Sequence, residues 1–491
     1  MTGDASGAQR RSGDPGLAIG LVLALLATLP VVLARYPQMA DYPAHLARWH
    51  VMLDGARSPD LLRYYVFEWR WMPNLGADLL IRPLAALLGL EPGGRVLAGL
   101  IPVLLGLSFV AVDRALHGRV GVGSLLAMTT IWAPTLLMGF VNFSLAEALA
   151  FLAFALWVRL AEWRWRAAVF VVIAPVVWLC HLAGWGVLGV LVLGFEWAGR
   201  RGLRGLVGAA LATWPLWPPL ALTLLAGTGA QAPFDFSLAA MQGKAFYWVI
   251  GLRDSVMPLD LASEALLGAV PVWALRSGRA DPRIGIAALI FAALVFLVPR
   301  NLGGGDYADY RLVPVALAAG ALSADFRPSP RWLLVAALPF LLRIGVTSAQ
   351  WIEQSAETGD ALKALDHVPR GSVVAAAWGF EPGRWSASPQ GHVFAYATVR
   401  RDALTNVHFA IPGVHMLRLK DADPAFIDPS QRIVLMPGER PDLAGFGPAA
   451  RAQFLWYLGD AEPLRLPAGA QVIWRGRHAT LARLAKASED R

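Results

Sequence analysis

Long runs of apolar residues recur along the first two thirds of the chain and are separated by short segments rich in Arg, Gly and Pro. A helix needs roughly 20 apolar residues, within a range of about 17 to 25, to cross the hydrocarbon core of a bilayer. The clearest runs lie at 17–33, 96–112, 120–137, 143–158, 206–225, 284–298 and 332–346. Two less uniform runs lie at 257–275 and 310–322, and Glu264 in the first must face protein or water rather than lipid. The pattern predicts an all-α polytopic membrane domain.

The segment 167–195 permits two interpretations, because it is long for one helix and short for two. One tilted helix would place Arg166 and Arg200 on opposite sides of the membrane. Two short helices that meet near His181 and Gly184 would place both arginines on the same side. Positively charged residues concentrate in cytoplasmic loops, so clusters of Arg on both flanks favour the hairpin.

With this hairpin, about eleven spans give one consistent orientation. The N-terminus is cytoplasmic, and the other cytoplasmic turns contain Arg119, Arg276, Arg279, Arg283, Arg327 and Arg331, while Arg10 and Arg11 precede the first span. The outer loops are then 35–90, 139–142, the turn at His181, 227–253 and 300–309. The C-terminal region lies outside. If one of these spans did not cross the membrane, the predicted orientation of every later segment would be reversed.

The chain changes character near residue 348, after which the long apolar runs end. Short apolar segments predict strands at 372–377, 392–396, 432–436 and 471–474, and helical patterns cover 356–365 and 448–458. Alternating helices and strands with Pro and Gly turns predict a small α/β domain. We therefore expect a transmembrane domain at 1–348, with a large first outer loop at 35–95, and a soluble extracytoplasmic domain at 349–491.

Composition supports the membrane assignment and excludes other classes. Hydrophobic residues make up 56% of the chain and charged residues only 16%, against about 25% in soluble proteins. The net charge of +8 comes from arginines between apolar segments, which act as orientation signals, so no nucleic-acid partner is expected. The single cysteine, Cys180, excludes an intrachain disulfide and a thiolate metal cluster.

Polar residues that could carry chemistry concentrate directly after the first span. Pro43 can open a helix, and Asp41 before it could help to cap that helix. His45 and Arg48 are spaced i and i+3 and therefore share one face. Taken alone, this segment is equally typical of an interfacial helix with a solvated polar face.

The segment Asp41-x-x-x-His45-Leu-x-Arg48 resembles the first-loop signature of GT-C-type glycosyltransferases. That superfamily includes oligosaccharyltransferases and polyprenyl-phosphate-sugar-dependent transferases. The layout is also similar, with many spans, a large first outer loop carrying amphipathic helices, and often a C-terminal domain outside. The resemblance implies a GT-C-like fold in a bacterial inner membrane, a polyprenyl-phosphate-linked sugar as donor, and a glycan, lipid or protein as acceptor.

The resemblance also implies residue roles. Asp41 would take the proton of the acceptor while the acceptor attacks the anomeric carbon, and a lipid phosphate would leave. His45 would partner Asp41 or the phosphate, with Arg48 on the same face. Many members carry a second acid after this Asp, whereas Tyr42 stands here. A divalent metal is therefore doubtful, and no cofactor is firmly expected.

Other predicted outer loops offer further substrate-binding candidates, namely Asn142, His181, Asp306, Asp309 and Arg311. In the GT-C picture a late outer-loop Arg often holds the lipid phosphate, and Arg311 has that place and the bidentate geometry for it. The alternative for Arg311 is a snorkelling side chain beside a flexible glycine-rich loop. A buried His such as His181 is more often structural than functional.

Two other functions remain open at this stage. A lipid or glycan transporter or flippase usually has polar, broken segments at mid-membrane and repeated halves. The sequence shows no such repeat, and its polar groups concentrate in the outer loops. A non-catalytic membrane assembly factor would use the C-terminal domain, which contains no catalytic motif, to bind a partner.

Overall fold

The computed structural model describes residues 14–226, 235–302, 305–326, 329–379, 383–386, 389–411, 414–421, 424–427, 442–459 and 464–485. Several sequence predictions fall outside these residues. They are the arginines at the N-terminus and in one predicted cytoplasmic turn, parts of two outer loops, and one strand: Arg10, Arg11, Arg327, 227–234, 303–304 and 432–436.

The described part of the chain is mostly helical. Its helices in the membrane half are α1 Pro15–Leu26, α2 Leu29–Leu33, α3 Tyr42–Asp54, α4 Pro59–Tyr64, α5 Gly76–Leu88, α6 Leu90–His117, α7 Val122–Ala127, α8 Pro134–Leu137, α9 Val141–Arg159, α10 Arg166–Cys180, α11 Leu182–Ala198, α12 Gly202–Ala212, α13 Pro218–Ala226, α14 Leu238–Phe246, α15 Met257–Arg276, α16 Pro282–Leu297, α17 Leu312–Leu322 and α18 Pro330–Ala361. Two short helices follow, α19 Tyr396–Arg401 and α20 Pro424–Ile427.

Several of these helices are long and apolar enough to cross a membrane, which confirms a polytopic membrane protein. Within the described residues five pass by length and composition, and α12 with the segment Trp214–Ala226 forms a sixth candidate bent by 44°. Five shorter apolar helices lie at the remaining predicted spans: Val122–Leu137, Arg166–Cys180, Leu182–Ala198, Pro282–Leu297 and Leu312–Leu322. The count of about eleven spans stays a prediction.

The helix starts follow from local sequence. Asp14, Ser58 and Asp281 each precede a proline, and each accepts a backbone N–H of the first turn with its side chain. Proline fits the first helical position because its missing N–H has no partner there, and Asp and Ser are favoured caps. An acid or Ser followed by Pro thus sets the beginning of α1, α4 and α16.

The segment 167–195 is a hairpin, as predicted. The chain is extended at His181, with φ −166° and ψ 134°, between α10 and α11. Arg166 at the start of α10 lies 3.3 Å from Glu196 near the end of α11, and Arg200 pairs with the same carboxylate. The two arginine clusters therefore lie together at one end of the helix pair.

A five-stranded sheet forms the C-terminal part, which confirms a small sheet-containing domain. The strands are β2 Val373–Trp378, β3 Leu404–Thr405, β5 Phe454–Leu458, β6 Gln471–Arg475 and β7 Ala479–Arg483, in the order β3-β2-β5-β7-β6. Strand β2 is parallel to β3 and β5, whereas β7 is antiparallel to β5 and β6. The predicted strands at 372–377 and 471–474 are confirmed.

Two predicted elements of this domain are wrong. The predicted strand 392–396 is a 3₁₀ helix, Pro389–Ala395, that leads into α19. The predicted helix 448–458 is a short 3₁₀ turn, Gly447–Arg451, followed by β5. Every residue of β5 is buried, so this strand shows the continuous apolar pattern of an interior strand rather than an alternation.

The C-terminal part packs against the first outer loop. Strand β1, Tyr65–Phe67, pairs antiparallel with β4, Leu417–Leu419. Asp402 accepts hydrogen bonds from His50 and Ser58, both at 2.8 Å. Helix α18 continues through the proposed boundary at residue 348 to Ala361. The division into domains at that position stays a prediction, and the two parts share an extensive contact.

Candidate functional site

The predicted outer loops converge on one cavity of about 660 Å³. Its lining comes from the first outer loop, the 138–143 turn, the tip of the α10–α11 hairpin, the segment before α17, and the C-terminal part. It includes six of the candidates from the sequence: Asp41, His45, Asn142, His181, Asp306 and Arg311. Arg48 and Asp309 are not among its lining residues.

Asp41 is held at the cavity wall by its own backbone. The amides of Ala40 and Asp41 donate to the carbonyls of Leu137 and Met138, both at 2.9 Å. Gly139 has φ +87°, and a Cβ there would lie 2.9 Å from the Asp41 nitrogen, so only glycine fits. Asp41 occupies the N-cap of α3, but its side chain makes no capping hydrogen bond. The carboxylate instead lines the cavity.

His392, from the C-terminal part, reaches the Asp41 carboxylate. Its Nδ1 lies 3.3 Å from Oδ1 of Asp41 and 3.2 Å from the carbonyl oxygen of Ala40. A proton on Nδ1 could be shared between these two acceptors. His392 gave no sequence signal, because the pattern at 392–396 predicted a strand and the domain contains no catalytic motif.

His45 has both ring nitrogens occupied. Its Nε2 lies 3.1 Å from the carbonyl oxygen of Gly139, and its Nδ1 lies 3.3 Å from Nη2 of Arg48. The two contacts agree on one tautomer, in which Nε2–H donates and Nδ1 accepts. Burial, followed by the neighbouring Arg48 charge, holds the pKa of His45 well below its usual range. A neutral His45 thus fixes the turn around Gly139.

Arg48 belongs to a buried pair that joins α3 to α5. Its Nη1 lies 2.7 Å from Oδ1 of Asp78, which also accepts a hydrogen bond from the indole of Trp49 at 3.0 Å. Both charged side chains are essentially inaccessible to solvent. The pair sits behind the cavity wall and positions His45, so it supports the site rather than facing a ligand.

Arg311 brings a buried positive charge to the cavity without a matching acid. The residue is 8% exposed, and no carboxylate lies within 4.0 Å of its guanidinium in the described part of the chain. Nη2 donates to the backbone carbonyl of Asp306 at 3.0 Å, and the group lies 4.2 Å from the Phe140 ring centroid. A buried charge is costly unless paired, so this site favours an anion.

The contact between Arg311 and His181 strengthens this conclusion. Nδ1 of His181 accepts the Ala183 amide at 3.0 Å, so the neutral ring carries its proton on Nε2. Nη1 of Arg311 lies 2.9 Å from that Nε2, and a guanidinium can only donate. In this tautomer both nitrogens carry a proton, and because they lie 2.9 Å apart no atom fits between them. An anionic oxygen beside the pair would accept from both N–H groups.

The side chain of Asn142 supports the cavity rim by forming hydrogen bonds with two backbone groups. Its Oδ1 accepts from the Ala77 amide at 2.6 Å, and its Nδ2 donates to the Asn74 carbonyl at 2.9 Å. Asn74 has φ +84°, which is unusual for a residue other than glycine. Asn142 thereby ties the start of α9 to the turn before α5.

Asn142→Leu should therefore lower stability. The substitution leaves the buried amide of Ala77 and the carbonyl of Asn74 without partners, at a cost of about 1–3 kcal/mol for each unsatisfied group. The melting temperature of the purified protein measures this effect. Asn301→Leu is the control, because Asn301 is exposed. Equal melting temperatures for the two variants would contradict the assigned role.

The two acids before α17 have different surroundings. Asp306 lines the cavity and forms two hydrogen bonds with Arg300, at 2.8 and 3.0 Å, and both side chains are about half exposed. Asp309 is fully buried, and its Oδ2 lies 2.7 Å from Nζ of Lys244. Asp309 thus anchors the loop to α14 and does not reach the cavity.

An aromatic and imidazole cluster from the C-terminal part completes the cavity. Phe409 stacks on His415, with ring centroids 4.9 Å apart and planes 5° apart. It also meets His45 and His392 edge to face, at 4.9 and 5.5 Å. Trp378 lines the same wall. Scattered His and aromatic residues gave no sequence signal for this cluster, since only the fold brings them together.

Buried neutral histidines predict a pH-dependent stability. Burial holds the pKa values of His45 and His415 well below the usual range and lowers that of His408 to about 4. The unfolded chain would bind protons on these rings below about pH 6.5, but the folded chain would not. The contribution of these neutral histidines to the free energy of unfolding is then fully present above pH 6.5. It falls as the pH decreases toward the pKa values of the folded state, by about 1.4 kcal/mol per pH unit for each histidine.

Melting temperatures between pH 7.5 and pH 5 measure this dependence. His408→Gln should make the decline shallower, whereas the exposed His367→Gln should not. An identical slope in wild type and His408→Gln would show that His408 is not a buried neutral group.

The described residues contain no group of three or more His, Cys, Asp or Glu side chains arranged to hold a metal ion.

Comparison with known proteins rests on structure alone. No protein-family model and no curated protein matches the sequence. The apo crystal structure of ArnT from Cupriavidus metallidurans matches with a TM-score of 0.52 and 12% identity, over 95% of this chain and 97% of that chain. The structure of ArnT bound to undecaprenyl phosphate matches with a TM-score of 0.46 and 13% identity, over 96% and 98%. The likeness to the apo structure spans nearly the whole of both chains, and it shows that this protein has the GT-C-like fold expected from its first outer loop.

Proposed function

We propose that this protein is a membrane glycosyltransferase. It transfers a sugar from a polyprenyl-phosphate-linked donor to an acceptor on the outer face of the bacterial inner membrane. The observation that carries the proposal is one cavity lined by a carboxylate, Asp41, and by the buried guanidinium of Arg311, which has no carboxylate within 4.0 Å among the described residues. The GT-C-like fold supports this class of reaction.

The donor phosphate is assigned to Arg311 and His181. Both groups present N–H donors at the cavity wall, and a phosphate oxygen beside the pair accepts from both. Arg suits this task because its planar fork can hold two phosphate oxygens. A polyprenyl phosphate fits the location beside apolar helices, and ArnT has been crystallised with undecaprenyl phosphate.

Asp41 is assigned as the base. The acceptor hydroxyl gives its proton to the Asp41 carboxylate, and its oxygen bonds to the anomeric carbon. The bond between that carbon and the phosphate oxygen breaks, and the phosphate leaves with the electron pair. Arg311 and the Nε2–H of His181 stabilise the charge that develops on the departing phosphate. No oxidant or metal is required for this displacement.

His392 is a positioning residue in this scheme. It contacts the Asp41 carboxylate, so it holds that group in orientation and links the C-terminal part to the chemistry. The flat rings of Phe409 and Trp378 line the same cavity and offer apolar faces to a sugar ring.

The test uses the purified full-length protein in vesicles with a polyprenyl-phosphate sugar labelled in the sugar, and membrane glycolipids as acceptors. A transferase converts the phosphodiester to a phosphomonoester, which ³¹P NMR detects, and moves the label to a new product. A flippase changes the leaflet of the donor and leaves its phosphodiester intact. Movement of intact donor without new product would replace the proposal with the transport alternative.

The orientation of the C-terminal part follows from the arginine distribution and is also part of the proposal. Alkaline phosphatase fused to the C-terminus should be active, because that enzyme folds outside the cytoplasm. The same reporter inserted at Arg279 should be inactive. The reverse pair of results would contradict an outward-facing site.

A further inference from the structure

A second cavity of about 520 Å³ lies directly beside the first. Helix α18, the segment 247–254 and the C-terminal part form its walls. Ala40, Met138, Tyr307 and Trp378 line both cavities and so form the partition between them. Asp41 follows Ala40 in the chain, which places the proposed base at this partition. The second cavity therefore adjoins the first at Ala40, the chain neighbour of the proposed base.

The lining of the second cavity is rich in amide and aromatic side chains. The amides belong to Gln38, Gln350, Gln354 and Gln390, of which Gln38 already bonds Tyr36 and Thr358, and the rings belong to Tyr247, Tyr310, Trp351 and Trp378. Amides both donate and accept hydrogen bonds, as hydroxyl groups do. Aromatic rings provide flat apolar surface with a polar edge. This combination matches a neutral polyhydroxylated ligand, whose ring has hydroxyl edges and apolar faces.

Three of the charged side chains that line this cavity already form hydrogen bonds within the protein. Arg253 donates to the carbonyls of Trp385 and Arg384, at 2.6 and 2.8 Å. Asp254 accepts from the Thr347 hydroxyl at 2.5 Å. Glu357 accepts from the Gln390 amide at 3.3 Å. None of these three groups is a buried guanidinium like that of Arg311, and Arg384, which also lines the cavity, is exposed, so the second cavity offers no buried guanidinium to a phosphate.

We infer that the second cavity binds the acceptor, and that the acceptor presents a neutral carbohydrate headgroup there. The inference rests on the proposed function, since it assigns the other substrate of the same reaction. The attacking hydroxyl passes the partition at Ala40 and reaches the Asp41 carboxylate. About a third of the lining residues come from the C-terminal part beyond helix α18, including Trp378, Ser386 and Gln390. That part of the chain therefore selects the acceptor.

The experiment uses the full-length protein in phosphatidylcholine nanodiscs and saturation-transfer difference NMR. The neutral probes are the n-butyl glycosides of glucose, galactose, mannose and N-acetylglucosamine, and the anionic probe is n-butyl phosphate. At least one glycoside should bind the wild type. Gln350→Met with Gln390→Met should weaken that binding about tenfold, because two hydrogen-bonding side chains are lost. If the double variant does not give monodisperse protein, Gln350→Met alone is measured.

Gln471→Met is the matched control, because Gln471 is exposed on the edge strand β6, and its glycoside binding should equal that of the wild type. The inference is overturned if no glycoside binds, if the cavity variants bind as the wild type does, or if these variants lose n-butyl phosphate instead. Arg311→Gln separates the two proposals. This variant should lose n-butyl phosphate binding and keep glycoside binding. If it still binds n-butyl phosphate while the glycoside results hold, the donor site of the proposed function is contradicted and the acceptor site is not.

Discussion

Asp41→Asn should lower the rate of sugar transfer by about 10²- to 10⁴-fold, the usual contribution of a positioned general base. Asparagine has nearly the same size and keeps an oxygen toward His392, but it cannot take the acceptor proton. Binding of polyprenyl phosphate should persist, because Arg311 and His181 are unchanged. Transfer is measured as release of phosphomonoester from the labelled donor, and lipid binding is measured in parallel.

Asp235→Asn is the control for this variant, because Asp235 is exposed and is not among the residues lining the cavity. It should transfer sugar at the wild-type rate. Retention of full activity by Asp41→Asn would remove Asp41 from the mechanism. Loss of both transfer and lipid binding would show that Asp41 maintains the cavity rather than acting in the reaction.

Arg311→Gln should lower transfer by about 10²- to 10³-fold, the range found when one preorganised donor to a developing charge is removed. It should also weaken the binding of polyprenyl phosphate, because the buried guanidinium supplies the positive charge. Arg311→Lys should recover only part of the transfer rate and part of the lipid binding, because lysine keeps the positive charge but lacks the planar guanidinium. Turnover and lipid affinity are measured on the same preparations.

Arg82→Gln is the matched control, since Arg82 is an exposed arginine on α5. It should retain both transfer and lipid binding. Arg311→Gln with normal lipid affinity and normal turnover would make Arg311 an interfacial anchor, which was the alternative interpretation of its position before α17.

Much of the membrane architecture could be predicted because its signals are local. Apolar runs mark the helices, and arginine clusters on both flanks of 167–195 correctly favoured a hairpin with its break at His181. Asp41 and His45 were found because they lie in one short segment that resembles a family signature. Arg311 was found because it directly precedes a membrane helix, where a charged residue is conspicuous.

The remaining features depend on contacts that are distant in sequence. His392 contacts Asp41 although about 350 positions separate them in the sequence, and the Phe409 ring contacts three histidines from different segments. Arg48 shares a face with His45, as its spacing indicated, but its charge is taken by Asp78 behind the wall. Strand β5 was mistaken for a helix because burial on both faces removes the alternation that identifies a strand.

The most direct test of the account is an electron cryomicroscopy structure of the full-length protein with undecaprenyl phosphate. The account predicts phosphate density in the first cavity, with oxygens at hydrogen-bond distance, about 2.7–3.2 Å, from the guanidinium of Arg311 and from Nε2 of His181. The Asp41 carboxylate should line the same space. Phosphate density outside this cavity, with Arg311 and His181 still in contact, would contradict the account.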